Sequence, residues 1–327
     1  MKQIRIILPL VLLAFAPLGL CTTAVAQTFP SKPIRMVVPF PPGGGIDALG
    51  RIMAAGLTER LGQPITIENR AGAGGLLAAE LLYKSPADGH LLLCHTHSTF
   101  TVLPHMFKKL PFDPMRDFLP LMKAVTVPMV VTVTADSPIG SMRALLEQAR
   151  VSPGKLSYGT SVPGSTMQVL LEELKQAAGG DYLHVNYKGG QPVVNDVLAG
   201  VLQFAGLGLP NVEGLIRSGR LRALAVLANE RSNLMPNVPS IPEATGYKLT
   251  DYTTWYGFAA RTGVQPDVAA RLKREMREVL IQPGVRAKLA GFTMEVVALP
   301  QEQFAHTLGA ELAAYGAAFR KLGIEPE

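Results

Sequence analysis

Two rhythms of apolar residues alternate along the chain. Short, nearly continuous apolar runs such as Ile34 to Phe40 and Leu91 to His95 have the length and composition of buried strands. Between them, Leu49, Ile52, Met53, Leu57 and Leu61 recur at the spacing of a helix with one buried face. By the same criteria Ile65 to Glu68, Val125 to Thr134, Leu156 to Thr160, Tyr182 to Tyr187, Leu202 to Leu209, Leu221 to Ala228, Trp255 to Ala260 and Met294 to Leu299 read as strands. Helices are predicted over Leu76 to Lys84, Ser141 to Arg150, Thr166 to Ala178, Pro192 to Gly200, Pro266 to Leu280 and Pro300 to Leu322. Strands alternating with helices predict an α/β fold with mostly parallel sheets. In such folds ligands sit at the C-terminal ends of strands, against helix N-termini. No internal repeat or low-complexity segment interrupts the pattern.

The first 26 residues break from it. Lys2 and Arg5 precede an apolar run, Ile6 to Leu20, broken only by Pro and Gly. Ala24-Val25-Ala26 then supplies the small residues of a signal-peptidase site, so cleavage is expected before Gln27 and the mature protein in the periplasm. The run is at the short end for a membrane anchor, and Leu20 disfavours a lipoprotein site at Cys21. ATP, NAD and coenzyme A are scarce outside the cytoplasm, which excludes most cofactor enzymology. The net charge of +6 falls to +4 without Lys2 and Arg5. The charges are scattered, without basic runs or interleaved aromatics, so nucleic acid is not an expected partner. Cleavage removes Cys21 and leaves Cys94 without a disulfide partner. A soluble protein stabilised by its core, and a monomer, is expected.

Three strand-to-helix turns carry the candidate chemistry. Pro41-Pro42-Gly43-Gly44-Gly45-Ile46-Asp47 leaves backbone N–H groups bare just ahead of a helix, which makes an anion cradle. Asn69 to Gly75 is a second such turn. Thr160-Ser161-Val162-Pro163-Gly164-Ser165-Thr166 is a third, where hydroxyls serve as caps or ligand donors. Each alone is compatible with an ordinary capped turn; three in register with an α/β pattern favour one shared ligand site. Gly43-x-Gly45-x-x-Ala48 with Glu68 also matches a dinucleotide fingerprint, but two prolines crowd that turn and export removes the cofactor. His95-Thr96-His97 places two imidazoles on one strand face. No nearby cluster completes a metal site, and a pair of packed imidazoles is the expectation. No Gly-x-Ser-x-Gly elbow and no phosphate-binding Gly-Lys-Ser/Thr loop occurs. No cofactor, metal or catalytic residue is therefore assigned.

Ser31-Lys32-Pro33-Ile34-Arg35, followed by Val37 to Gly45, resembles the mature start of the Bug family, the extracytoplasmic solute receptors of tripartite tricarboxylate transporters. The likeness runs on through Leu61 to Pro64, Glu68 to Arg70, Gly72 to Gly75, Pro86 to Gly89, Lys108 to Pro114, Pro153 to Leu156, Tyr187 to Gly189, Gly219 to Ala225, Val238-Pro239 and Thr254-Trp255. It implies a two-lobed periplasmic binding protein fold of type II character, each lobe a sheet flanked by helices with the ligand cleft between. The expected lobes are 27–125 with 250–327, and 126–249, the chain crossing near Val125 and Thr250. The resemblance implies a non-enzymatic receptor that captures a small organic carboxylate for membrane transporter subunits. An exported hydrolase, or a receptor serving a membrane sensor, are the alternatives.

The site residues follow from the same resemblance. They are Pro42, Gly43, Gly44, Gly45, Ile46 and Asp47 of the first loop, Gly74, Gly75 and Leu76 of the second, Ser161, Gly164, Ser165 and Thr166 of the third, and Leu207. Ile46 stands where the family commonly has Thr or Ser, Leu76 where it has Asn, and Gly206 to Pro210 where it often has Phe-Asp-Asn-Leu-Pro. Met167-Gln168 replaces a common Ser-His pair. If these positions line the pocket, the ligand has an apolar or aromatic body rather than the polarity of citrate.

Overall fold

The computed structural model describes residues 29–161, 164–250, 254–299 and 301–326. The export signal and its cleavage motif lie outside them. Eleven strands follow one another as β1 (Ile34–Val38), β2 (Ile65–Asn69), β3 (Leu91–Thr96), β4 (Phe118–Thr126), β5 (Met129–Thr134), β6 (Ser157–Thr160), β7 (Leu183–Asn186), β8 (Phe204–Gly208), β9 (Leu221–Val226), β10 (Trp255–Arg261) and β11 (Glu295–Leu299). They form two sheets, ordered β2-β1-β3-β10-β4-β11 and β7-β6-β8-β5-β9.

Each sheet is sandwiched between helices, and the alternation of side chains shows it directly. Along β3, Leu92 and Cys94 face one core while Leu91 and Leu93 face another. Strand β3 is buried along its whole length, as a central strand covered on both faces must be. In the second sheet Val131 and Val133 point to one side, and Val130 and Leu207 to the other. The helices have the expected amphipathic faces and ends. Pro266–Leu280 starts on a proline, which gives up only an N–H that would be unpaired there, and buries Leu272, Met276 and Val279. Thr166–Ala178 is capped by Ser165 and stopped by Gly179 at φ 64°.

The expectation of mostly parallel sheets does not hold. Four strand pairings are parallel and five antiparallel. The reason lies where the chain changes sheets. The apolar stretch Val125 to Thr134, which reads as one strand, is the end of β4 and the start of β5, in different sheets. Pro128 sits at the break, where its missing N–H could not join a ladder. The Val127 N–H donates to Thr254 O, and Pro128 O accepts from Leu209 N–H. Strand β5 enters the second sheet antiparallel to β8 and β9. Strand β10 enters the first antiparallel to β3 and β4. Each sheet thus shows a second-first-third parallel trio and then an antiparallel crossing strand, with one strand beyond it in the second sheet and two, β4 and β11, in the first. Apolar periodicity carries no strand direction, so only the assembled sheet reveals this.

The Gln301–Leu322 helix spans both halves of the molecule. Phe304 and Leu308 pack beside Trp255 and Phe100 on the first sheet. Tyr315, Ala318 and Phe319 pack with Met167 and Val131 of the second. The first half of β4, the Pro283–Gly291 helix and the short helices Ser98–Thr101 and Leu103–Met106 are structure that the apolar pattern leaves unread.

Candidate functional site

A cleft of about 520 Å³ opens between the two sheets. Its walls are turns that follow β1, β3, β6, β7 and β8. Its first wall is the β1 turn. Gly43 has φ 92°, a left-handed value that favours glycine, and Gly44 forms the N-cap of the Gly45–Leu61 helix with no side chain capping it. The N–H groups at the start of that helix have no intrahelical partner. A Cβ on Gly45 would approach Pro210 Cβ of the opposite half to 3.0 Å and Met294 Cε to 3.1 Å, so any larger residue there would have to push these side chains aside.

Asp47 does not face the cleft. It is buried behind the turn, where Oδ2 accepts from the Gly43 N–H at 3.0 Å and from Arg51 Nε at 2.9 Å. Its Oδ1 accepts from Asn69 Nδ2 at 2.9 Å. Burial alone would raise its pKa, but the hydrogen bonds from Arg51, Gly43 and Asn69 and the Arg51 charge hold it below the usual carboxylate range. Asp47 fixes the loop's shape from the rear.

The facing wall comes from the β7 turn. Gly189, at φ 133°, is the N-cap of the Gly190–Leu198 helix, again with no side-chain cap. Lys188, Gly189, Gly190 and Gln191 all line the cleft. The Gly190 and Gln191 N–H groups open that helix and lack intrahelical partners. Two bare helix N-termini, one from each half, therefore point at one space, each with partial positive charge. Lys188 is the one formally charged side chain among the described residues lining it, and no carboxylate lines it.

The β6 turn behaves differently. Ser161, Ser165 and Thr166 reach the cleft. Ser165 Oγ accepts from the Gln168 N–H, while Gln168 Oε1 accepts from the Gly164 N–H at 2.7 Å, so this helix caps itself. Gly164 is not a wall residue. A Cβ there would lie 2.4 Å from Met106 Sδ, so it is glycine because Met106 and Phe319 pass over it. Thr166 Oγ1 is hydrogen-bonded to His97 Nε2 at 2.5 Å and to the Tyr315 hydroxyl. That chain joins the first sheet, the second and the C-terminal helix at the floor of the cleft. Burial, then the nearby Lys123 charge and His95, push the His97 pKa down to about 3, so its imidazole is neutral. Burial likewise lowers His95 to about 4. Both rings are packed, His95 against Phe100 and Trp255, and His97 on Tyr315. Among the described residues no group of three or more His, Cys, Asp or Glu is placed to hold a metal.

The sequence-derived site residues therefore divide. Pro42 to Ile46, Ser161, Ser165 and Thr166 come together in the cleft. Gly74 and Gly75 line a separate cavity. Leu76 and Leu207 line neither. Leu76 packs at the edge of the core that holds Leu91 and Leu93, and Leu207 is 1 % exposed, because odd-numbered side chains of β8 face the core formed with Val193, Val194 and Val197. Ile46 is 4 % exposed and packs into the core of Leu92 and Cys94 on the other face of the first sheet. The loss of polarity at these three positions is thus mainly a matter of core packing. Sequence reading missed Lys188 to Gln191, Asn195, Asn211, Thr254 and Tyr256. The strand–Gly-Gly–helix pattern at Tyr187 to Gly190 was a usable signal for the first of these. Nothing local marks the others.

The comparisons agree with this architecture. The family profile described as "Tripartite tricarboxylate transporter family receptor" matches residues 49–324. A Pseudomonas UPF0065 protein from a tcbD-tcbE intergenic region is 37% identical, over 83% of each chain. Protein BugT of Bordetella pertussis is 34% identical, over 88% of each. An R. palustris protein solved with adipate superposes with a TM-score of 0.86 at 30% identity, covering 91% of this chain and 100% of that one. The structure of periplasmic binding protein BugD superposes with a TM-score of 0.84 at 26% identity, covering 91% of this chain and 100% of that one, so the two-lobed periplasmic binding protein fold is shown, and the matched family is one of receptors rather than enzymes. The chain belongs to the tripartite tricarboxylate transporter receptor family.

Proposed function

We propose that this chain captures a small organic carboxylate in the cleft between its sheets and delivers it to membrane transporter subunits. The observation that carries the reading is the pair of uncapped helix N-termini, at Gly44 and Gly189, facing each other across a space lined, among the described residues, by Lys188 and no acid. A hydrogen bond to a charged group contributes about 1.5–3 kcal/mol net. Three or four of them reach the roughly 8 kcal/mol of micromolar binding once ordering costs are met. The adipate seen with the R. palustris neighbour has the same chemistry.

Residues 27–125 with 250–327 form one lobe in this reading, and 126–249 the other. They close about the crossings at Val127-Pro128 and near Thr250, with the C-terminal helix as a third link. The protein works as an exported monomer, released by cleavage before Gln27. Titration calorimetry of short mono- and dicarboxylates tests the central point. At least one acid should bind in the micromolar range, and its amide at least tenfold more weakly. Equal binding of acid and amide would overturn the reading. X-ray scattering should show a smaller radius of gyration with the bound acid.

A further inference from the structure

A second cavity, of about 640 Å³, lies against the cleft. Phe40, Pro41, Ser161 and Lys188 line both, so the two spaces share a wall. Leu103, Met106 and Phe107 give the second cavity an apolar surface, and Asn186 and Tyr187 line it as well. Its remaining side is the turn before the Leu76–Tyr83 helix. There Gly72, Gly74 and Gly75 all have positive φ, and Ala73 has φ 45°. That conformation carries no large side chain into the space, and a Cβ on Gly75 would crowd Pro39 at 3.3 Å. Lys188 is again the one formally charged side chain among the described residues that line it. Either cavity alone is in the size range of a site for a drug-sized ligand. A four- to six-carbon acid held in the cleft would leave the second space without a function.

We propose that the second cavity is a tail subsite, and that the physiological ligand is a monocarboxylate with an extended apolar alkyl or aryl tail. This rests on the carboxylate reading of the cleft. The carboxylate sits between the two helix N-termini, the chain passes Phe40 and Pro41, and the tail packs on Leu103, Met106 and Phe107. Lys188 lies along the shared wall, its stem covering the tail and its ammonium turned to water and the carboxylate end. A second carboxylate at the end of a tail packed on Leu103, Met106 and Phe107 would meet side chains that offer it no partner, so an α,ω-diacid of equal length is disfavoured.

The test is calorimetry of straight-chain monocarboxylates from four to twelve carbons, with α,ω-diacids of matched length, on the exported full-length protein. Affinity should rise about three- to fourfold per buried methylene until the second cavity is full. Ala71→Trp, at an exposed position on its rim, should cost long acids at least tenfold and leave the shortest binding acid within about twofold. Phe107→Ala should move the preferred length upward. If short acids bind and longer ones gain nothing, the tail subsite is wrong while the carboxylate reading stands. Equal losses for short and long acids in Ala71→Trp, or tighter binding of the matched diacids, would overturn it as well. If no acid of any length binds, the carboxylate reading fails and takes the subsite with it.

Discussion

The β1 turn and the β6 turn look alike in sequence but are put to opposite uses. Both follow a strand, both carry glycine and both open a helix. At β6 the helix start is satisfied from within, by Ser165 Oγ and by Gln168 reaching back to Gly164. Its Thr166 hydroxyl is engaged with His97 and Tyr315, which leaves Ser161 as the hydroxyl of this turn that faces the cleft. At β1 the only polar side chain, Asp47, turns away to brace the loop, and the helix start is left bare. The difference teaches that a polar loop residue indicates a ligand site only when its hydrogen bonds are not already taken. The loop that looks chemically richer is the structural one.

The contrast can be broken most forcefully at Leu207. If it were a cleft residue, Leu207→Asp would alter ligand preference. Because it is buried in a core, the substitution should cost on the order of 4 kcal/mol or more of stability, seen as loss of cooperative unfolding in denaturant. A folded Leu207→Asp protein with changed ligand ranking would show that the core placement is wrong.

The engaged floor of the cleft should also respond to acid. His97 and His95 are held neutral, with pKa values of about 3 and 4, well below the ordinary 6.5. The unfolded chain binds these protons first. Their contribution is therefore fully present above about pH 6.5 and is lost as the pH falls toward 4 and then 3. Lys123 and Glu311, paired at 3.7 Å beside Trp255, share this buried region. Unfolding free energy measured from pH 7 to pH 4 should fall by several kcal/mol. A His97→Gln variant should show a shallower slope, and an unchanged slope would remove His97 from the account.

Gly44 sharpens the bare side of the comparison. Its φ is −82° and a Cβ there would meet nothing within 4 Å, so Gly44→Val should fold normally. It should nonetheless weaken carboxylate binding at least tenfold, by placing a branched side chain over the exposed N–H groups. Unchanged affinity would refute the cradle. Lys188→Met should weaken binding about three- to tenfold, and the remaining affinity should depend less on salt. The smallest effect belongs to Ser165→Ala. It should cost about 1 kcal/mol of stability as a lost cap and leave affinity within about twofold.

How far the site could be read in advance follows from the same distinction. The cradle at Gly43 to Ile46 was legible because strand, glycines and helix are contiguous, so one local pattern specifies the bare N–H groups. Lys188 to Gln191 has the same pattern with fewer glycines, a weaker local signal than the hydroxyls at Ser161 to Thr166. Asn211, Thr254 and Tyr256 come to the cleft from loops and strands distant in the chain, and no local pattern records that meeting. Leu76 and Leu207 belong to the cores for a related reason: nearness to a glycine loop in sequence says nothing about which face of a strand or helix a residue occupies.

By itself the sequence determined where the strands and most long helices form, the export signal expected ahead of them and the first anion-binding turn. All of these depend on residues within a few positions of one another. The tertiary structure alone decided strand direction, the switch of sheets at Pro128 and the placement of the C-terminal helix over both cores. It also decided which polar groups at the cleft are spent on the protein and which are left for a ligand. Those outcomes depend on partners tens to hundreds of residues away, such as Thr166 with Tyr315 or Gly45 with Pro210. Packing at that range is a property of the assembled chain, and no window of sequence contains it.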